Sequence, residues 1–354
     1  MARQLLNTLY VMTPNSYLHL ENDTVRVEVE REKKLQVPLH HLGSVVCLGN
    51  IMLSPALMHR CADDGISLVL LDGNGRFKAR LEGSVSGNIL LRQAQHRQAQ
   101  DEKFALGIAQ SAIAGKLRNG RQVLLRGARE AGDEEDSSAL GAASETLSIS
   151  LRNLPHAPDL DVLRGIEGDA AKNYFAALPL LVKREARDKF TMDGRTRRPP
   201  RDRFNALLSF LYSMLMNDCR SALEAVGLDP QLGFLHAVRP GRAALALDLM
   251  EEFRAIFADR LALTLINRGQ IGTNDFAERE GGAVLLEGDA RRTVVVAYQE
   301  RKQEEVIHPL LEPKCRLACY RYCRRASWRA PCAAKWKVIS RSFTVKRYAD
   351  YYYL

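Results

Sequence analysis

An α+β fold is predicted from this sequence: a small N-terminal β-sheet or sandwich domain is followed by a larger all-α C-terminal domain. Short β-prone segments separated by turn residues fill about the first eighty positions. Helix-period apolar residues dominate after about Gly87. A third segment is strongly basic and rich in Cys. We therefore divide the chain into residues 1–86, 87–313 and 314–354.

The N-terminal domain is predicted to contain one short helix among its strands, which are residues 5–12, 24–29, 44–48, 66–71 and 77–81. Ser54 is a good helix N-cap, Pro55 suits the first helical position, and Gly65 can close the helix in the left-handed conformation. The turn 72–75, Asp-Gly-Asn-Gly, joins the last two strands.

The C-terminal domain begins with helix-period apolar residues over 89–130. An acidic stretch rich in Gly, Ser and Ala follows at 131–144, and we predict a loop there. Further helices are expected to about residue 312. The longest apolar stretch without a charge, 204–217, is too short to span a bilayer. We therefore expect a cytoplasmic protein without membrane contact.

The basic charge is unevenly distributed. The net charge is +9, yet residues 314–354 hold eleven Lys and Arg against one acid, and residues 1–313 hold 40 basic and 41 acidic residues. We predict that this tail is not an integral part of the fold. Nucleic-acid binding by the remaining chain must rest on local patches. The densest basic patch lies in a Pro-containing loop. Its arginines either bind DNA or are simply solvated, and they are Arg195, Arg197, Arg198, Arg201 and Arg203.

Two carboxylates, Asp248 and Glu251, are three positions apart in a segment that is apolar nearly all round. Such a helix is usually buried, and the i, i+3 spacing places both acids on one face. Buried carboxylates are costly unless they are paired or bound to a cation. Arg254 is a possible partner for one of them. The pattern favours a metal site over solvated helix charges.

Two further residues lie in sequence contexts that suit a metal ligand. His236 lies in a Gly- and Pro-containing loop, where a surface or capping His is the alternative. Glu167 is predicted near the start of a helix, where an acid also favours the helix dipole. Its flanks, Gly165 and Gly168, suit the close approach of another backbone or a ligand. Together these residues suggest metal-dependent phosphodiester chemistry.

Residues 5 to about 313 resemble the CRISPR-associated integrases of the spacer-acquisition complex, in the version found in subtype I-C systems. The resemblance rests on several motifs in the same order: LLNTLYV at 5–11, VPLH at 37–40, RTRRPP at 195–200, NALLSFLY at 205–212 and LALDLMEEFR at 245–254. It implies that the N-terminal domain mediates dimerisation and that the helical domain is a metal-dependent DNA endonuclease and integrase, which inserts short DNA fragments into a CRISPR array.

The resemblance also implies the chemistry. Glu167, His236 and Glu251 would hold a divalent metal. Asp248 would be an additional acid beside the site, so its replacement by Asn should reduce activity less than replacement of a ligand. Mixed carboxylate and imidazole ligation suits Mn²⁺, with Mg²⁺ as the alternative. The nucleophile would be the 3′-OH of a short DNA fragment, which attacks the CRISPR repeat by transesterification.

The implied partners are double-stranded DNA, as spacer fragments and as the CRISPR repeat and leader, and a small ferredoxin-like adaptation subunit. That subunit would bridge two homodimers into a heterohexamer. Two other classes stay open at this point. One is a stand-alone metal-dependent nuclease acting on branched DNA, and the other is a non-catalytic DNA-binding scaffold.

Overall fold

The computed structural model describes residues 8–84, 89–307 and 314–316. Its contacts divide the chain into two compact units. The first contains the described residues up to position 84 together with 287–303. The second contains 89–286 and the described residues from 304 onward. The segment 287–303 was assigned to the helical domain by the sequence analysis, whereas its contacts place it with the first unit.

Two four-stranded sheets form the first unit, with the strands β1 Thr8–Val11, β2 Tyr17–Glu21, β3 Thr24–Val29, β4 Glu32–Pro38, β5 Ser44–Leu48, β6 Met52–Leu53, β7 Ser67–Leu71 and β8 Phe77–Leu81. One sheet has the order β1-β5-β7-β8, in which only β8 is antiparallel to its neighbour. The other has the order β4-β3-β2-β6, in which β2 and β6 are parallel. Their apolar faces share a core that includes Leu18, Val25, Val45 and Leu68.

All five predicted strand regions contain a strand, and β2, β4 and β6 were not predicted. β4 is exposed over its first five residues, so it shows no apolar face that a sequence pattern could reveal. The predicted helix is present as α1, Pro55–Asp63. Ser54 Oγ accepts a hydrogen bond from Leu57 N at 3.2 Å, and Gly65 has a φ of 65°.

The second unit is mainly helical, with α2 Ile89–Ala99, α3 Glu102–Glu130, α4 Glu134–Asn153, α5 Leu160–Ala177, α6 Arg184–Arg187, α7 Arg203–Ala225, α8 Ala244–Glu251 and α9 Arg260–Asn267. A π-helical segment, Arg254–Asp259, lies between α8 and α9. The unit also has two small antiparallel sheets, from β9 Phe276–Arg279 with β10 Ala283–Leu286 and from β11 Glu305–Ile307 with β12 Lys314–Arg316. The second unit is therefore not all-α, although the predicted order of a β region and a larger helical part is confirmed.

The loop predicted at 131–144 is wrong, because most of that segment lies in α4. Asp133 caps this helix by accepting a hydrogen bond from Asp136 N at 2.9 Å. Acidic residues in the first turn favour the helix dipole, and Ala is a strong helix former. Leu140 and Leu147 are buried on its inner face.

The helix start predicted near Glu167 is also wrong. α5 begins after Asp159, which accepts hydrogen bonds from Asp161 N and Val162 N. Glu167 therefore lies in the middle of a helix, so the dipole of a helix start does not explain it.

In the described part of the chain the last helix is α10 Gly288–Gln303, which belongs to the first unit. The predicted detachment of the tail falls mostly outside the described residues, although Lys314–Arg316 pair with β11. No helix in the described part of the chain is long and apolar enough to cross a membrane. Cys47, Cys61 and Cys219 are buried thiols.

Candidate active site

Glu251, the last residue of α8, is a buried carboxylate between two cations. Arg254 Nη2 lies 3.0 Å from its Oε1, and Lys116 Nζ lies 2.7 Å from its Oε2. Burial raises the pKa of such a group, but the attraction of Arg254 and Lys116 outweighs burial and lowers the pKa to about 2. Glu251 is therefore ionised at neutral pH. Arg254 is the partner that the sequence had suggested.

Glu167 reaches the same ammonium from α5. Lys116 Nζ contacts Glu167 Oε1 as well as Glu251 Oε2. Two of the predicted site residues thus converge on one cation from different helices. The flanking glycines do not serve a close backbone approach, because a Cβ atom at Gly165 or Gly168 would meet no atom within 4 Å.

His236 is oriented by Asp248, which is only 1% exposed. Asp248 Oδ1 lies 2.6 Å from His236 Nδ1 and also accepts a hydrogen bond from His236 N at 3.0 Å. An ionised carboxylate only accepts, so His236 Nδ1 donates, and in the neutral imidazole Nε2 then carries the lone pair. Nε2 lies 3.8 Å from Glu251 Oε1. Asp248 thus aims the imidazole towards Glu251 instead of pointing there itself.

The loop that carries His236 is fixed from two further directions. Asp248 Oδ2 accepts hydrogen bonds from Phe234 N at 2.6 Å and from Leu235 N at 3.0 Å. This close approach requires Gly233, because a Cβ there would stand 2.7 Å from Asp248 Oδ2. From α5, Arg164 donates to the Leu235 carbonyl through Nε at 3.0 Å and Nη2 at 2.8 Å. The helix of Glu167 is thereby tied to the loop of His236.

The predicted ligands form no ready-made metal site: in the described ranges, no three His, Cys, Asp or Glu side chains are spaced to hold an ion. Lys116 lies between the two carboxylates instead. The donor set nevertheless fits a hard divalent cation, since it offers two carboxylates and an imidazole lone pair. Glu251 Oε2 is buried and has no hydrogen-bond partner of normal geometry, although Lys116 Nζ lies within ion-pair distance.

A buried polar cluster around Asp259 lies next to Arg254. Asp259, at the end of the π-helical segment, accepts hydrogen bonds from Tyr212 Oη at 2.6 Å and Tyr174 Oη at 2.9 Å. Burial raises the pKa of Asp259 to about 6, against the opposing effect of both hydroxyls. The guanidinium of Arg254 lies 5.0 Å from the centre of the Tyr212 ring. Arg254 therefore links this cluster to Glu251.

The predicted DNA-binding arginines have different environments. Arg195 points inward: its Nη1 donates to Asn205 Oδ1 at 2.6 Å, and its Nη2 donates to Ser209 Oγ at 3.1 Å. Arg197 and Arg198 are exposed. Arg201 is exposed too, and its Nη1 donates to the Gly281 carbonyl at 3.2 Å. The geometry of Arg195 favours a role in holding its loop over a phosphate contact.

Two further arginines, Arg239 and Arg242, follow His236 in the chain and lie close enough to Arg197 and Arg198 for their charges to interact. Partial burial, followed by repulsion from Arg239, Arg197 and Arg198, lowers the pKa of Arg242. We call these four residues, Arg197, Arg198, Arg239 and Arg242, the arginine patch. The carboxylate of Asp248 raises the pKa of Arg242, in opposition to the neighbouring arginines. The arginine patch therefore lies close to Asp248.

Lys116 and Arg164 were missed for a physical reason, since a cation on a helix is normally solvated. One signal was present for Lys116. It lies four positions after Ala112 and four before Gly120, both of which are buried. A Lys on the apolar stripe of a helix indicates a buried partner.

The sequence model described as CRISPR associated protein Cas1 matches residues 9–300. The chain belongs to the Cas1 family. A CRISPR-associated endonuclease Cas1 of Moorella thermoacetica is 57% identical over 310 residues, which are 88% of this chain and 90% of that protein. The predicted relationship to CRISPR-associated proteins and the predicted endonuclease are thereby confirmed.

Solved structures show the same Cas1 fold. A Cas1 protein from Thermotoga maritima has a TM-score of 0.77 at 21% identity, with 91% of this chain and 96% of that chain covered. A casposase bound to integration product has a TM-score of 0.76 at 20% identity, covering 91% and 89%. A Cas6-RT-Cas1–Cas2 complex has a TM-score of 0.77 at 24% identity, covering 92% of this chain and 34% of that chain.

Proposed function

We propose that this Cas1 protein is a metal-dependent DNA endonuclease and integrase that inserts short DNA fragments into a CRISPR array. The observation that carries the proposal is the convergence of Glu167 and Glu251 on one cation, next to the lone pair of His236 Nε2. These three residues are the proposed ligands of Mn²⁺ or Mg²⁺. An ion bound there would polarise a DNA phosphate and stabilise charge on the attacking or leaving oxygen.

The side chains around these ligands have separate tasks. Asp248 and Arg164 hold the loop so that His236 keeps one orientation. Arg254 stays paired with Glu251 and keeps that carboxylate ionised. The arginine patch supplies positive charge beside the site, where it neutralises phosphates of the bound DNA. The attacking group in this proposal is the 3′-OH of a DNA fragment, so no protein nucleophile takes part.

The proposed partners follow from the neighbours and from the sequence motifs. One neighbour is a casposase bound to integration product, and another holds Cas1 together with Cas2. We infer that this chain acts on double-stranded DNA, as spacer fragments and as the CRISPR repeat and leader. Its N-terminal unit would form a homodimer, and a small ferredoxin-like adaptation subunit would bridge two dimers into a heterohexamer. The motifs at 195–200 and 245–254 support assignment to subtype I-C.

A strand-transfer assay with Mn²⁺ tests the proposal, with and without the adaptation subunit. His236→Ala should remove strand transfer because it removes a ligand, and Glu251→Gln should do so because the amide lacks the charge that attracts the ion. Glu145→Gln is the matched control, since Glu145 is an exposed acid that pairs with Arg152 on α4. This control should keep full activity.

Three outcomes would contradict the proposal. Activity of His236→Ala and Glu251→Gln equal to that of Glu145→Gln would refute the site. Cleavage of branched DNA that the adaptation subunit does not change would favour a stand-alone nuclease. DNA binding without metal and without any strand transfer would favour a scaffold.

A further inference from the structure

We propose that Lys116 is an internal counter-ion that takes the position of the divalent cation in the metal-free protein and competes with it. The inference rests on the proposed metal site. It goes further by assigning to a residue of α3 control over when that site is filled. Lys116 is not one of the acid or imidazole ligands, and its ammonium contacts both carboxylates of the proposed set.

The position of Lys116 is built into the packing of α3 against the end of α8. At Gly115, a Cβ would stand 3.0 Å from Glu252 Cγ, so a larger residue there would push the Glu252 side chain aside. One turn later, Asn119 Nδ2 donates to the Glu252 carbonyl at 2.8 Å. These two contacts flank Lys116, whose side chain is 13% exposed. These contacts fix the backbone around Lys116, and the ammonium itself is held by its contacts with the two carboxylates.

The charge balance of the site implies displacement. Three carboxylates, Glu167, Glu251 and Asp248, are matched by only two cations, Lys116 and Arg254, so the site has a net charge of −1 with a neutral His236. A divalent ion added to this set would leave a net charge of +1 in a largely buried place, which is unfavourable. Withdrawal of one resident cation reduces that excess.

Lys116 is better suited to withdraw than Arg254. Lysine is a point charge on a flexible four-carbon stem, so its ammonium can swing away without a change in the backbone. Arg254 lies over the Tyr212 ring as well as beside Glu251. Glu167 is 25% exposed, whereas Glu251 is 3% exposed, so solvent is nearest on the Glu167 side of the ammonium.

Because of this competition, Lys116 affects the stability of the protein and its affinity for metal in opposite directions. Without metal, Lys116 stabilises the folded protein because it neutralises two neighbouring carboxylates. With metal, the same ammonium weakens binding because its contacts must be broken. The site then fills only when free metal is abundant, and the metal-free protein keeps its fold.

Calorimetric titration with Mn²⁺ alone tests the inference on the full chain. Lys116→Met keeps the length of the stem and removes the charge. It should bind Mn²⁺ about tenfold to thirtyfold more tightly, the change expected from a monovalent and a divalent cation about 4 Å apart under full aqueous screening. Lys116→Arg keeps the charge and should keep the weak binding. Lys103→Met, an exposed position on the same helix, is the matched control and should bind like the unaltered protein.

Thermal unfolding supplies the second measurement. In EDTA, Lys116→Met should melt below the unaltered protein, and its gain in melting temperature on adding Mn²⁺ should be larger. Equal or weaker Mn²⁺ affinity of a folded Lys116→Met protein would overturn the inference while the metal site stands. Lys116→Gln provides the same comparison if the Met variant does not fold. Mn²⁺ binding that Glu251→Gln leaves unchanged would refute the proposed site, and the inference with it.

Discussion

Replacing Asp248 by Asn should release the loop that presents His236. The carboxylate accepts four hydrogen bonds, two on each oxygen, from Phe234 N, Leu235 N, His236 N and His236 Nδ1. Asn has one acceptor oxygen, and its NH₂ group must face two of these donors. At least two hydrogen bonds to a charged acceptor are therefore lost in a place that water does not reach.

The magnitude follows from these contacts. Hydrogen bonds to a charged group contribute about 1.5–3 kcal/mol each, so the loss of two should lower the free energy of unfolding by roughly 3–6 kcal/mol. That is a large part of the stability of a typical domain. For activity, the family resemblance predicts a smaller effect for Asp248→Asn than for Glu251→Gln. For stability the contacts predict a large effect, because Asp248 anchors the loop.

The assay is urea unfolding followed by circular dichroism, together with NMR signals of the His236 ring. Gly233→Ala should reproduce both effects, because its Cβ would stand 2.7 Å from the same Asp248 Oδ2. Gly141→Ala is the matched control, since its Cβ meets no atom within 4 Å on α4. It should raise stability by about 0.5–1 kcal/mol. An Asp248→Asn protein within about 1 kcal/mol of the unaltered one, with the ring signals unchanged, would refute the reasoning.

Two further predictions concern Asp259 and the arginine patch. Because the pKa of Asp259 is raised from 3.8 to about 6, its stabilising effect is complete below pH 3.8 and is lost as the pH rises through 6. Between pH 4 and pH 7, the unfolding free energy of Asp259→Asn should therefore rise by about 3 kcal/mol relative to that of the unaltered protein. A difference between the two proteins that does not vary with pH would contradict this. Replacing Arg197 and Arg242 by Ala should weaken binding to unrelated DNA sequences and lower the salt slope by about one per lost phosphate contact. Arg152→Ala, at an exposed position on α4, is the control. An unchanged salt slope after replacement of Arg197 and Arg242 would mean that these side chains are solvated and contact no phosphate.

The sequence revealed the elements whose patterns are local. Strands with apolar faces and the capped helix after Ser54 follow from periodicity and capping chemistry, and all are present. β4 escaped because its side chains are mostly exposed, so no alternation marks it. α4 escaped because Gly, Ser and acids are typical of loops as well as of helix starts. Asp133 and the buried Leu140 decide that case only once the packing is known.

The site was predictable in part for similar reasons. Asp248 and Glu251 were identified because carboxylates on an apolar helix need partners, and the family resemblance added the roles of Glu167 and His236. The position of Lys116 on an apolar stripe indicates a buried partner, but the identity of that partner was not predictable. Lys116 lies 51 positions from Glu167, and no local pattern connects an α3 lysine with an α5 acid. The direction of Arg195 was equally hidden, because exposed and inward arginines look alike in a sequence.

The separation of the site residues along the chain has a consequence for synthesis. Contacts that build the site join residues 71 positions apart, as in Arg164 with Leu235, and 133 positions apart, as in Asn119 with Glu252. The packed pair α3 and α4 can form early during translation, but its helices carry none of the proposed ligands. A chain released before α8 lacks Glu251 and the carboxylate that anchors the His236 loop. Translation products that end before α8 therefore lack the proposed metal site.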